Sequence, residues 1–226
     1  EREAGDQILH INNMSKSLDG EMLFSNLNLN VTKGDKIALI GKNDLATSAL
    51  YEILNGISDP DSGDFKFGQT ITTGYLPNEN EAFFNDKQSL IDWLRQFSAN
   101  KDEVYIRGFL GKMLFSGEET FKMANVLSGG EKVRCMISRM MLRGGNFLML
   151  DEPTNHLDLE SIQAFNNALI NFPGTVIFTC HDHHFTQTVA NRIVEITPYG
   201  CLDKLMTFDE YISSPKIKEQ KEMLKN

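Results

Sequence analysis

Long apolar runs are missing from this sequence. No stretch approaches the roughly 20 residues that a membrane-spanning helix needs, and no secretory-leader pattern opens the chain. Cysteine is scarce as well. Cys135, Cys180 and Cys201 are an odd set without CxxC spacing, which favours reduced thiols and a cytoplasmic setting over a disulfide framework. Positive charge is in deficit: 22 Lys and Arg stand against 31 Asp and Glu, for a net charge of −9. That balance argues against broad, non-specific RNA binding, which draws on clustered cations; any RNA contact would need a local basic patch or another segment. Internal repeats and low-complexity tracts are also absent. What is present is ordinary for a soluble globular chain, with 226 residues, 41% hydrophobic and 23% charged. That length suffices for one sizeable core with room for a small inserted subdomain.

Alternating apolar residues over 8–14 and 23–31 predict antiparallel strands, and Lys33-Gly34-Asp35 a tight turn. Residues 37–40 read as a short buried strand running into Gly41, followed by helical spacing over 47–54 and a turn at 59–63. Another strand is expected over 71–76. From Ser89 the period changes, and two amphipathic helices are expected through Leu94 and Leu114. Helices over 133–142 and 159–169 alternate with strands over 147–150, 176–179 and 193–196. The closing residues 216–226 are charged and poor in apolar side chains, which suggests fraying or disorder. The opening Glu1-Arg-Glu-Ala-Gly5 has no methionine and reads as the continuation of a preceding segment. Trp93 and the Met140-Met141 pair are expected to pack in the interior, and His183 and His184 to be solvated residues at a helix start.

One stretch orders the rest. The run Phe147–Leu150 stops on Asp151 and Glu152, placing two carboxylates at the C-terminal end of a buried parallel strand, where α/β proteins bind ligands. There Asp151 can hold Mg²⁺ and Glu152 can polarise an attacking water. A strand end followed by an acidic turn would read the same in isolation. Leu127-Ser128-Gly129-Gly130-Glu131 lies just upstream, however, and Cys180-His181-Asp182 follows the next strand.

Together these pieces resemble the ATP-binding cassette family over nearly the whole chain. Leu127–Glu131 is similar to its signature motif, Phe147–Glu152 to its Walker B strand, Asn155-His156-Leu157-Asp158 to its D-loop, and the His181 segment to its switch histidine. The wording from Asp151 to Asp158 resembles the ABC-F branch, soluble proteins with two tandem cassettes that act on the ribosome. The resemblance implies an α/β, P-loop NTPase-like core with an antiparallel β subdomain and an inserted helical subdomain. It implies a single cassette domain over 1–226, the helical part at about 86–143 and a charged tail at 214–226. It also implies ATP and Mg²⁺ as cofactors and Glu152 and His181 as catalytic residues. Ser48, Asn78 and Asp151 would hold the metal, and Gly41, Asn43, Ala46, Thr47, Ser48, Asn78, Ser128, Gly129, Gly130 and Asp158 would line nucleotide.

The phosphate loop departs from that pattern. After Gly41 the family expects four variable residues and then Gly-Lys-Ser/Thr, yet Ala46 replaces the glycine and Thr47 the lysine. Asp44 also stands where relatives usually carry glycine. Glycines let backbone N–H groups turn toward phosphate oxygens, and the lysine is a point charge on them. A unit-charge contact near 4 Å is worth roughly 4 kcal/mol at an effective dielectric of ~20, so exchanging a cation for Asp44 weakens anion capture heavily. Lys42 is an ordinary residue beside Asn43 and no substitute. Leu18 where an adenine-stacking aromatic belongs, and Asn78 where glutamine belongs, point the same way, although drift would explain either alone. Ser128–Gly130, by contrast, open a helix whose N–H groups and dipole make an anion site for the γ-phosphate of a partner cassette.

The expectation is therefore a C-terminal cassette whose own site is degenerate and whose signature completes that of an N-terminal twin. It would have no membrane contact, and would reach the ribosome and transfer RNA through segments beyond this sequence. The alternatives are the ATPase subunit of a membrane transporter and a non-hydrolytic interaction domain.

Overall fold

The computed structural model describes residues 6–225. The opening stretch 1–5 and Asn226, on which sequence expectations were placed, lie outside the described residues. The chain starts with two long strands, β1 (Gln7–Leu18) and β2 (Glu21–Thr32), and then β3 (Lys36–Gly41) and helix α1 (Asp44–Leu54). Strands β4 (Ser62–Phe67) and β5 (Thr73–Leu76) lead to helices α2 (Leu90–Arg95), α3 (Glu103–Lys112) and α4 (Gly129–Leu142). Strands and helices then alternate: β6 (Phe147–Asp151), α5 (Leu159–Ile170), β7 (Thr175–Thr179), α6 (His183–Val189) and β8 (Arg192–Thr197). Strand β9 (Gly200–Lys204) and helices α7 (Phe208–Ser213) and α8 (Pro215–Lys225) close the chain.

The β1–β2 hairpin turns on Asp19 and Gly20, both at positive φ (51° and 83°), the pair that a two-residue turn matched to strand twist requires. Strand β4 pairs with the other edge of β1, giving a three-stranded antiparallel sheet in the order β2-β1-β4. The second sheet runs β5-β6-β7-β3-β8-β9, parallel except for the β8–β9 pair. Its central strands β6 and β7 are buried at every residue, as their apolar runs 147–150 and 176–178 require once the antiparallel sheet and α1 cover one face and helices the other. The β subdomain expected from 8–31 and the parallel core are thus both present, and the α/β class holds.

Alternate residues of the central strands serve two cores. Phe147 and Met149 join Ile37, Leu39 and Ile177 beneath the antiparallel sheet and α1. Leu148 and Leu150 join Val176, Phe178 and the side chains of α2, α3 and α4. Trp93 lies in this second core, stacked on Phe84 at 4.7 Å, with its Nε1–H donating to the Phe83 carbonyl at 2.8 Å. Arg192 stitches strand β8 to both neighbours, reaching Asp35 at 2.7 Å and Asp203 at 2.6 Å.

The C-terminal segment does not fray. Residues up to Lys225 form α8 because Ile217 is buried and Lys221 pairs with Glu195 at 2.6 Å, while Tyr211 donates its hydroxyl to the same carboxylate. Strands β4 and β9 and helix α7 escape a reading by hydrophobic period. In β4 no residue is fully buried, so its apolar alternation is weak. No helix among the described residues is long and apolar enough to cross a membrane.

Candidate functional site

Strand β6 delivers Asp151 and Glu152 to the C-terminal edge of the parallel sheet, 2% and 4% exposed. Glu152 sits at φ 50°, a left-handed conformation held by its N–H donating to the Thr179 carbonyl at 2.9 Å. Non-glycine residues adopt such a conformation at a cost that the surrounding structure must offset, commonly at functional positions. Ser48 Oγ donates to Asp151 Oδ2 at 2.6 Å, whereas Asp151 Oδ1 has no hydrogen-bond partner. Burial raises the Asp151 carboxyl above the usual carboxylate range, against the Ser48 hydrogen bond. Burial also pushes Glu152 up to about 7; His181 opposes the shift, and Asp44 and Asp151 add to it. Tyr51 from α1 meets Thr179 Oγ1 at 3.0 Å beneath these carboxylates, a brace that the sequence reading did not single out.

The loop after β3 is wound into helix almost at once. Asn43 caps α1, its side-chain oxygen accepting from the Ala46 N–H at 3.0 Å. Ala46 is fully buried. Thr47 is 1% exposed, and its hydroxyl donates to the Asp44 carbonyl at 3.1 Å. The Thr47 methyl lies so near Gly41 that a Cβ placed there would come within 2.8 Å of it. Asp44, first in the helix, points across the site: its Oδ1 is 3.2 Å from His181 Nε2, which lies 3.1 Å from Glu152 Oε1. Lys42 faces the opposite way and pairs with Glu21 of the hairpin at 2.6 Å, both in solvent.

Two clefts open on this edge. Ser48, Asn78 and Asp151 line one of about 790 Å³, together with Arg139 and Arg143 of the helical layer. Gly41, Asn43, Thr47, Thr179 and His181 line a smaller one of about 300 Å³, and Asp44 borders both. The donor set Ser48–Asn78–Asp151 suits an oxygen-seeking dication such as Mg²⁺, because the buried Asp151 Oδ1 lacks a partner and hydroxyl and amide oxygens share its cleft.

Ser128, Gly129, Gly130 and Asp158 border neither cleft. Ser128 caps α4 in a reciprocal arrangement, with its Oγ accepting from the Glu131 N–H at 3.2 Å and Glu131 accepting from the Ser128 N–H at 2.9 Å. Gly130 lies under the His156 carbonyl, where a Cβ would collide with the oxygen; at Gly129 the His156 ring would stand 3.3 Å away. Asp158 caps α5 by accepting from the Ser161 N–H at 2.9 Å. His183 is paired with Asp209 at 2.7 Å.

A parallel sheet carrying paired acids at a strand end, a capped loop–helix unit and an inserted helical layer defines a nucleotide-binding α/β cassette. A family model described as ABC transporter matches residues 24–155, and the chain belongs to that family of ATP-binding cassettes. It is 51% identical over 222 residues to the Uncharacterized ABC transporter ATP-binding protein YkpA of Bacillus subtilis, covering 97% of this chain and 41% of that protein. It is 32% identical over 199 residues to the Energy-dependent translational throttle protein EttA of Escherichia coli K12, covering 87% of this chain and 36% of that protein. The chain thus spans less than half the length of these relatives. The dimeric post-hydrolysis structure of the ATP-binding cassette MJ0796 bound to ADP and Pi superposes with a TM-score of 0.72 at 16% identity, covering 88% of this chain and 99% of that one. At that identity the likeness speaks for the fold alone.

Proposed function

We propose that this chain is one cassette of an ABC-F-like, two-cassette ATPase acting in translation, and that its own nucleotide site is degenerate. In this reading 1–226 is a single cassette domain with its helical part at about 86–143. The observation that carries it is the loop at 41–48. A triphosphate there would need the first N–H groups of α1 and a lysine. The lysine is absent, the Thr47 methyl fills the space beside Gly41, and Asp44 sets a carboxylate against His181 at the mouth of the loop. Like charge in that position repels phosphate oxygens. The residues present do not fit a triphosphate held by this loop.

The chain's contribution to turnover then comes from the other end. Ser128, Gly129 and Gly130 open a fourteen-residue helix, and their N–H groups and helix dipole would meet the γ-phosphate held on the partner cassette's loop. Asp158, fixed by its cap on α5, would flank that junction. The kinship with EttA, named a translational throttle, supports a ribosomal output reached through parts of the protein beyond these residues.

Calorimetry on this chain should detect no MgATP binding in the micromolar range. Replacing Asp44→Gly, Ala46→Gly and Thr47→Lys together should create it. Micromolar binding by the wild type would overturn the reading. Failure of the triple variant to gain affinity would locate the defect at Leu18 or Asn78 instead.

A further inference from the structure

The residues that depart from a phosphate loop leave behind a different set of ligands. Among the described residues, Asp44, Glu152 and His181 bring one donor atom each within 4.8 Å of one another. Two of the separations are tighter: 3.2 Å from Asp44 Oδ1 to His181 Nε2 and 3.1 Å from His181 Nε2 to Glu152 Oε1. Donors bonded to one first-row dication at about 2.0–2.2 Å stand roughly 2.8–3.1 Å apart in cis octahedral positions and roughly 3.3–3.6 Å apart in a tetrahedron. The two separations from His181 therefore match those of ligands that share an ion.

A hydrogen-bonded cluster would be the plain alternative, and Glu152 argues against it. Its carboxylate is buried on the wall of the cluster, and neither oxygen has a hydrogen-bond partner. His181 approaches it, its Nε2 at an ion-pair distance of 3.1 Å, and that same nitrogen is already hydrogen-bonded to Asp44 Oδ1 at 3.2 Å, so one imidazole edge faces two carboxylates. A buried carboxylate left in that state is costly, and a bound cation would satisfy it while leaving it ionised. The neighbours are otherwise engaged: Cys180 Sγ lies 3.2 Å from Thr154 Oγ1, Asp182 caps α6 through the Phe185 N–H, and His183 holds Asp209.

From this geometry we infer that the chain carries a transition-metal site of the zinc class, built from Asp44, Glu152 and His181. Two carboxylates and one imidazole select a borderline ion such as Zn²⁺ or Co²⁺ over Mg²⁺, which prefers oxygen ligands throughout. Asp44 and His181 are exposed, so the ion is reached directly from solvent and keeps water at its remaining positions. The set is disjoint from Ser48, Asn78 and Asp151, and it depends on Asp44, the residue standing where the family's loop has glycine. Bound metal would tie the start of α1 to the end of β6 and to the segment before α6, cross-linking three separate parts of the chain. This goes beyond the reading of the nucleotide site, and its test uses no nucleotide.

Tag-free chain, stripped with chelator and dialysed, is titrated with ZnCl₂ by calorimetry and with CoCl₂ by visible absorption. One equivalent should bind, with ligand-field bands for cobalt and a rise in melting temperature with zinc. Asp44→Asn and Glu152→Gln should each weaken binding at least tenfold. The double variant His183→Ala with His184→Ala should bind like wild type, which excludes the surface histidines as the source. Absence of stoichiometric binding would overturn the site, as would unchanged affinity in Asp44→Asn or loss in the His183/His184 variant. MgATP titrations of the same samples report separately on the degenerate loop, so either idea can fail alone.

Discussion

Helices α1 and α4 both begin with a capping side chain, Asn43 in one and Ser128 in the other, yet their first turns are built differently. After Asn43 come Asp44 and then the buried pair Ala46 and Thr47, so the first turn is packed against β3 and carries a carboxylate outward. After Ser128 come two glycines left partly in solvent, and the only acid, Glu131, is folded back onto the cap and paired with Lys122 at 2.6 Å. The dipole is the same in kind at both ends. What separates them is the identity of two or three residues after the cap: a carboxylate and a buried pair in one, two glycines in the other.

The sharpest way to break this comparison is kinetic. In the full-length protein, Ser128→Glu should lower steady-state phosphate release at saturating MgATP by about 100-fold or more, the scale of losing a transition-state charge contact. Glu152→Gln, which in the proposed reading would serve the degenerate site, should change it less than about twofold. Equal damage from the two would mean that the loop at 41–48 does bind and turn over ATP.

Smaller effects sharpen the comparison. Gly130→Ala places a methyl against the His156 carbonyl, and urea unfolding should show a loss of about 2–3 kcal/mol. Gly129→Ala, facing only the edge of the His156 ring, should stay under about 1 kcal/mol. Glu152 next supplies a pH signature. Its carboxyl is held up at about 7, above the 4.5 of a free glutamate, so the folded chain binds that proton more tightly than the unfolded one. The stabilisation is therefore complete below pH 4.5 and is lost as pH rises through 7. In chelator-treated buffer, the wild type should lose on the order of 1–2 kcal/mol more than Glu152→Gln between mildly acidic and mildly alkaline pH. The cap has a comparably small effect: Asn43→Ala should destabilise by about 1 kcal/mol in the same assay.

What could be read in the sequence follows from range. The strand at 147–151 and the helix beginning after Ser128 announce themselves by local pattern, and both form where that pattern puts them. The loss of lysine at Thr47 is likewise a one-letter observation. The partners of Asp44 were not legible, because His181 lies 137 positions away and the contact exists only once β3 and β7 are neighbours. Helix α8 was misread for the same reason: its own residues are charged, and Ile217, Lys221 and the distant Glu195 hold it only after folding. Tyr51 and Thr179, joined under the carboxylates, carry no motif at all.

Strand β6 is a beam clamped from two floors. Phe147 and Met149 are gripped by one core, Leu148 and Leu150 by the other, and hydrogen bonds to β5 and β7 hold its edges. It cannot slide without voiding two sets of packed side chains at once, so the height of Asp151 and Glu152 is fixed. Adjustment of the edge to an arriving ligand therefore falls to the solvent-facing residues around it, Asp44 and His181 among them. The stiffness of one strand divides the site into a fixed acidic wall and a compliant rim.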